Sequence, residues 1–163
     1  RARGYPEPSE LRVGAMLEAP AFAYGLDDVA GEVDFISVGT NDLTQFLFAA
    51  DRANPKLAER YDWLSPAILR YLARVSQSLI GQNVRLGVCG EMGGRRLEAL
   101  ALLGIGYRRL SITPAAVGPI KELVRKVDLG EITEFMNRLL ASPPPNMRAE
   151  LQQWANERDI EFD

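Results

Sequence analysis

The sequence predicts a parallel α/β protein built as half of a (β/α)8 barrel, and three observations carry that prediction. First, short apolar runs alternate four times with segments of helical spacing, the pattern of strand-helix units feeding a parallel sheet. That alternation alone fits a doubly wound sheet as well as a barrel. Second, each run ends on its C-terminal side in polar side chains: Glu18 after the first, Asn41 and Asp42 after the second, Cys89 and Glu91 after the third, Ser111 and Thr113 after the fourth. Side chains converging from successive strand ends are the arrangement of a barrel whose site lies on its C-terminal face. Third, the chain has 163 residues, whereas a full barrel takes about 250. Four units make half of one.

The elements follow in order. "RVGAML" (12–17) reads as a buried strand stopped by Glu18-Ala19-Pro20, and "AFAYGLDDVAGE" (21–32) as a helix. "DFISVGT" (34–40) is the second strand. "NDLTQFLFAAD" (41–51) has helical spacing at Leu43, Phe46, Leu47 and Ala50. "ANPKLAERYDWL" (53–64) reads as a loop. In "SPAILRYLARVSQSLIGQN" (65–83) Ser65 is the expected N-cap and Pro66 the first helical residue, with Ile68, Leu69, Leu72, Val75 and Leu79 on one face. "VRLGVCG" (84–90) and "RRLSI" (108–112) are strands flanking the helix "RRLEALALLGIG" (95–106), and "AAVGPIKELVRKV" (115–127) closes the series. After Asp128 the alternation stops. Two helices, 129–141 and 146–159, are separated by Pro143-Pro144-Pro145. The expected organisation is therefore a half-barrel over residues 1–127 and a helical extension over 128–163.

Composition excludes several classes of function. A net charge of −3 gives no electrostatic case for nucleic acid or an anionic membrane surface. No apolar run reaches the length of a membrane-spanning helix. The chain contains no histidine, which removes Ser-His and Cys-His nucleophilic sites and imidazole-based zinc sites within it. Its one cysteine cannot form an internal disulfide, in keeping with a reducing cytoplasm. It opens with "RARGYPEP" rather than methionine, as a piece cut from a longer polypeptide would.

The polar residues at the strand ends have a common chemistry. Glu18 and Asp42 are hard oxygen donors on adjacent strand ends, able to share one Mg²⁺ with a substrate. Asn41, beside a helix start, can donate to a phosphate, and Arg52 offers a planar fork for phosphate or carboxylate. Together they suit an anionic, metal-chelating substrate. Each also has a plainer reading. Glu18 can cap the next helix, and Asn41 or Asp42 can serve as an ordinary N-cap. Arg52 can be a surface residue and Cys89 a small buried apolar one. Glu91, Arg95 and Arg96 can be the polar start of a helix, and Trp63 and Trp154 packing residues.

The motifs taken together are more specific than any one of them. "GAMLEAPA", "DFISVGTNDLTQFLFAADR", "LSPAILR", "GVCGEMGG" and "GPIKEL" occur in that order at close spacing. Over residues 13–126 the sequence resembles the C-terminal phosphoenolpyruvate-binding domain of enzyme I, the phosphoenolpyruvate-protein phosphotransferase of the bacterial phosphotransferase system. "LEALALLGIGYRRLSITPAAVGPIK" and the tail "MRAELQQWANERDIEF" resemble the nitrogen-related branch, and Ser65 stands where many sugar-branch members carry histidine. The resemblance implies the C-terminal half of a barrel of the phosphoenolpyruvate/pyruvate type. It implies that Glu18 and Asp42 bind magnesium, that Asn41, with Asp42 in the same loop, holds the phosphoryl group, and that Arg52 binds phosphoenolpyruvate. It implies that Cys89 delivers a proton to the enolate carbon as pyruvate forms. The phosphoryl group then passes to an enzyme histidine and on to a small carrier protein, in a homodimeric enzyme. That histidine and two further substrate-binding arginines belong to regions of the family absent from this sequence, so the chain alone is expected to be inactive.

Two other readings compete. One keeps the barrel and changes the reaction, to a magnesium-dependent aldolase or lyase, or a phosphoenolpyruvate synthase or dikinase. A retro-aldol site needs no thiol acid at Cys89, and the "CGEMGG" box fits enzyme I better than the synthases and dikinases. The other is a non-enzymatic regulatory or dimerisation module, against which intact site residues argue.

Overall fold

The computed structural model describes residues 4, 8–51, 54–58 and 61–162. Three strands, β1 (Gly14–Leu17), β2 (Phe35–Gly39) and β3 (Arg85–Cys89), form a parallel sheet in the order β1-β2-β3. Helices follow in chain order: α1 (Leu26–Ala30), α2 (Thr40–Leu47), α3 (Pro55–Ala58), α4 (Pro66–Ser78), α5 (Arg96–Gly104), α6 (Pro114–Lys126), α7 (Leu129–Ala141) and α8 (Met147–Asn156). None of the described helices is long and apolar enough to cross a membrane.

The sheet has one dry face and one open face. Register pairs Leu17 with Val38 and Ile36 with Leu86, and Leu17, Ile36, Val38 and Val88 are fully buried in the core with the helices. Side chains alternate along a strand, so the opposite face carries Met16, Phe35 and Ser37. Met16 is 54% exposed and Phe35 39%. A buried strand face next to exposed large apolar groups is the signature of a sheet that has a second face to cover.

Local signals place the helices well. Ser65 Oγ accepts from the Ile68 amide at 3.4 Å and Pro66 is the first helical residue of α4, as the sequence predicts. Asp128 caps α7 by accepting from Glu131 N at 2.9 Å, and Asn146 caps α8 by accepting from Ala149 N at 3.0 Å. Helix α5 is buried along all of Leu97 to Gly104 and packs on α6, α7 and α8, so the C-terminal helices share the core of the sheet domain.

Three expectations are corrected. The fourth strand, 108–112, is reduced to one parallel bridge between Val88 and Leu110, held by Val88 N donating to Arg109 O at 2.9 Å and Ser111 N to Val88 O at 2.8 Å. Its ends are claimed by other elements: Tyr107 N still bonds Leu102 O in the turn that ends α5, and Thr113 already precedes α6. The segment 21–32 is not one helix but a 3₁₀ turn, Pro20–Gly25, followed by α1. The segment read as a loop contains the one-turn helix α3.

Candidate functional site at the strand ends

Parallel register fixes which residues stand level at the C-terminal edge of the sheet. Gly39 pairs with Cys89, and Glu18, one residue beyond the Leu17–Val38 pair, stands level with Gly39. All three lie on the open face. Asn41 and Asp42 follow at once, in the first turn of α2. Neither is its N-cap: the capping position is Gly39, and no side chain bonds there. The plain capping role is therefore excluded for both. A carboxylate such as Asp42 in a first turn is favoured by the positive end of the helix dipole.

Two glycines make the close approach possible. A Cβ on Gly39 would stand 2.7 Å from Glu18 Cγ and 2.8 Å from its Oε1, so the bare glycine leaves the space in which the Glu18 carboxylate crosses the end of β2. Gly90, directly after Cys89, has φ of +102°, a region that side chains rarely tolerate. A Cβ there would meet Thr40 Oγ1 at 2.6 Å and Asn41 Oδ1 at 3.2 Å. Thr40 Oγ1 donates instead to Cys89 O at 3.1 Å, which ties the start of α2 to the end of β3.

Asn41 has a partner that sequence reasoning missed. Its Nδ2 donates to Glu91 Oε1 at 3.4 Å and its Oδ1 accepts from Glu91 N at 3.3 Å. Glu91 is not the start of a helix: it opens a 3₁₀ turn, Glu91–Gly94, and α5 begins at Arg96. The available signal was its place two residues after Cys89 at a strand end. Arg52 lies outside the described residues.

Beside this row runs a cleft of about 470 Å³. Asn41, Glu91, Tyr61, Trp63, Arg95 and Arg148 all contribute to its lining. The Arg95 guanidinium sits 4.7 Å above the Trp63 ring, a cation–π contact. Asp62, also in the lining, would be raised by burial, but the Arg148 hydrogen bond, the Leu64 amide and the charges of Arg148 and Arg95 outweigh that and hold it below the ordinary carboxylate value. The same bond to Asp62 raises Arg148, which stays a permanent cation.

The donor set fits a hard divalent cation. Among the described residues no group of three or more His, Cys, Asp or Glu side chains is gathered to hold a metal. Magnesium requires less: one or two carboxylates, with the rest from substrate and water. Glu18, given its space by Gly39, and Asp42, in the first turn of α2, are the two carboxylates of the strand ends that could supply it.

Comparison with known proteins identifies the family. A family model described as PEP-utilising enzyme, PEP-binding domain matches residues 1–129. The chain is 39% identical over 142 residues, 87% of its length, to the phosphoenolpyruvate-protein phosphotransferase of Borreliella burgdorferi, of which it covers 25%. It is 43% identical over 137 residues to a protein of Escherichia coli K12 named phosphoenolpyruvate-dependent phosphotransferase system, covering 84% of this chain and 18% of that one. Multiphosphoryl transfer protein 2 of the same organism is 35% identical over 136 residues, 83% of this chain and 16% of that protein. The chain thus spans a quarter or less of these relatives. With the family model matching well over half of its residues, this chain belongs to the PEP-utilising enzymes, as their PEP-binding domain.

Proposed function

We propose that this chain is the phosphoenolpyruvate-binding part of a phosphoenolpyruvate-protein phosphotransferase. The single observation that carries the reading is the level row of Glu18, Gly39 and Cys89 across three adjacent parallel strands, with Asn41 and Asp42 in the next helix turn. The names of the relatives support the same reaction.

Each residue then has a task. Glu18 and Asp42 hold Mg²⁺. When bound, that ion neutralises charge on the substrate and on the enolate left after transfer. Asn41 donates its amide to the phosphoryl oxygens. In the structure that amide is spent on Glu91 at the long distance of 3.4 Å, so substrate displaces a weak partner rather than a strong one. Arg52 grips phosphoenolpyruvate with its fork. Cys89 gives its thiol proton to the enolate carbon, yielding pyruvate, after the phosphoryl group has left for a histidine elsewhere in the enzyme and then a carrier protein. Phosphoryl transfer needs positioning and charge neutralisation more than covalent help, and the strand ends supply rigid positions.

The open sheet face and the edge of β1, unpaired among the described residues, support a half-barrel over 1–127, with the helical extension over 128–163. Exposed parallel edges recruit further strands, and a second copy is the commonest partner, so we propose that the enzyme is a homodimer working in the cytoplasm. Light scattering at a monomer mass of 18.0 kDa would contradict association of the isolated chain. The reaction itself is tested by incubating the full-length protein with labelled phosphoenolpyruvate and magnesium. The expected result is one acid-labile phosphate on histidine with release of pyruvate. Release of pyruvate from a hydroxy-acid substrate, with no phosphoprotein, would favour the aldolase chemistry instead.

A further inference from the structure

Helix α5 is apolar through its buried length with one exception. Glu98 is 2% exposed, in a place where a carboxylate needs a compensating charge. The charge comes from α8, beyond the 1–129 span of the family model. Arg148 Nη2 donates to Glu98 Oε1 at 2.7 Å.

Neutralising Glu98 would need no more than that. Arg148 also grips Asp62 with both arms of its fork, Nη2 to Oδ1 at 2.7 Å and Nε to Oδ2 at 3.1 Å. Asp62 belongs to the connection between α2 and α4, the stretch of sequence that contains Arg52. Its Oδ1 accepts from Leu64 N at 2.9 Å and its backbone oxygen from Ser65 N at 2.9 Å, so it anchors the turn into α4. Its neighbours extend the hold in two directions. Tyr61 packs its ring 4.9 Å from Phe48, at the end of α2, and Trp63 lies under Arg95, next to the turn that carries Glu91. The far end of the network is thus part of the lining of the cleft to which Asn41 also contributes.

We propose that Arg148 is a positioning residue for the strand-end site: anchored on buried Glu98, it clamps Asp62 and so sets the Tyr61–Trp63 lining of the cleft that Asn41 shares. The C-terminal helix is then part of the substrate-binding apparatus. This rests on the phosphotransferase reading above, in which Asn41 and Arg52 bind phosphoenolpyruvate.

Two variants of the full-length enzyme test it without stranding Glu98. Arg148→Lys keeps the charge opposite Glu98 and loses the fork. Asp62→Asn leaves the Arg148–Glu98 pair intact and keeps an acceptor for Leu64 N. Each is expected to raise KM for phosphoenolpyruvate about tenfold while kcat changes by less than about threefold, because the lost alignment weakens binding of ground state and transition state alike. The double variant should be no worse than either single one. Hydrogen exchange of the peptide spanning 61–65 should quicken in both variants, with that of α5 unchanged. An unchanged KM in both variants of an active enzyme overturns the proposal, whatever their melting temperatures, since a purely stabilising clamp predicts that result. Unchanged exchange at 61–65 overturns it too. If the wild-type enzyme forms no phosphoprotein, the phosphotransferase reading fails, and quickened exchange in both variants still supports the clamp.

Discussion

Glu18→Gln or Asp42→Asn in the full-length enzyme is expected to lower magnesium-dependent phosphorylation by phosphoenolpyruvate by about 10³-fold or more, as each removes one of two carboxylates from a site whose charge stabilisation amounts to several kcal/mol. Both changes keep side-chain size and a possible hydrogen bond, so folding should be nearly untouched. The geometry sharpens the expectation for Glu18. Its carboxylate occupies space that exists because Gly39 lacks a Cβ, at the end of β2 and one residue before Thr40 opens α2. Raising magnesium should recover part of the activity in either variant if the lesion is in metal binding. Phosphorylation within threefold of wild type at limiting magnesium would sink the assignment.

Cys89→Ala should separate chemistry from binding. The thiol residue ends β3 on the open face, level with Gly39 and Glu18, and Cys89 is half-buried rather than enclosed among the helices. The Thr40 hydroxyl is bonded to the Cys89 carbonyl, so the substitution leaves the tie between α2 and β3 in place. On the proposed mechanism, what disappears is a proton donor. A general acid contributes about 10² to 10⁴ in rate, and kcat should fall by that range. KM for phosphoenolpyruvate should stay within about threefold, since no ligand for phosphate or metal has been lost. A collapse in affinity with turnover preserved would make Cys89 a packing residue.

The parts of this molecule legible in its sequence are those specified locally. The three strands appear within two residues of their expected positions because Glu-Ala-Pro, Gly-Thr and Cys-Gly punctuate their ends. Helix α4 announces itself through Ser65 and Pro66, and α7 and α8 through the proline run between them. The strand ends also carried Glu18, Asn41, Asp42 and Cys89 to one edge of the sheet, since parallel strands of similar length bring their C-terminal residues level.

What sequence reasoning missed depends on partners far along the chain. The fourth strand has the composition of a strand, but the turn after α5 and the start of α6 leave it one bridge. Glu91 meets Asn41 across 50 residues, and Arg148 meets Asp62 across 86. No window of local sequence contains such a pair. Glu98, a lone carboxylate in the run Leu97–Leu103, was the one visible trace of the second network. A charge in the middle of a buried apolar helix asks where its counter-ion lies, and the answer is the C-terminal helix.

The account stands or falls on the strand ends forming one site. Crystals of the full-length enzyme with Mn²⁺ in place of magnesium and phosphoenolpyruvate, measured at the manganese absorption edge, test that directly. The account predicts one anomalous peak at the C-terminal end of the sheet, at about 2.0–2.3 Å from an oxygen of Glu18 and an oxygen of Asp42, with the Cys89 sulfur facing the methylene carbon of the substrate. A peak bound by neither carboxylate, or substrate seated away from Cys89, would contradict it.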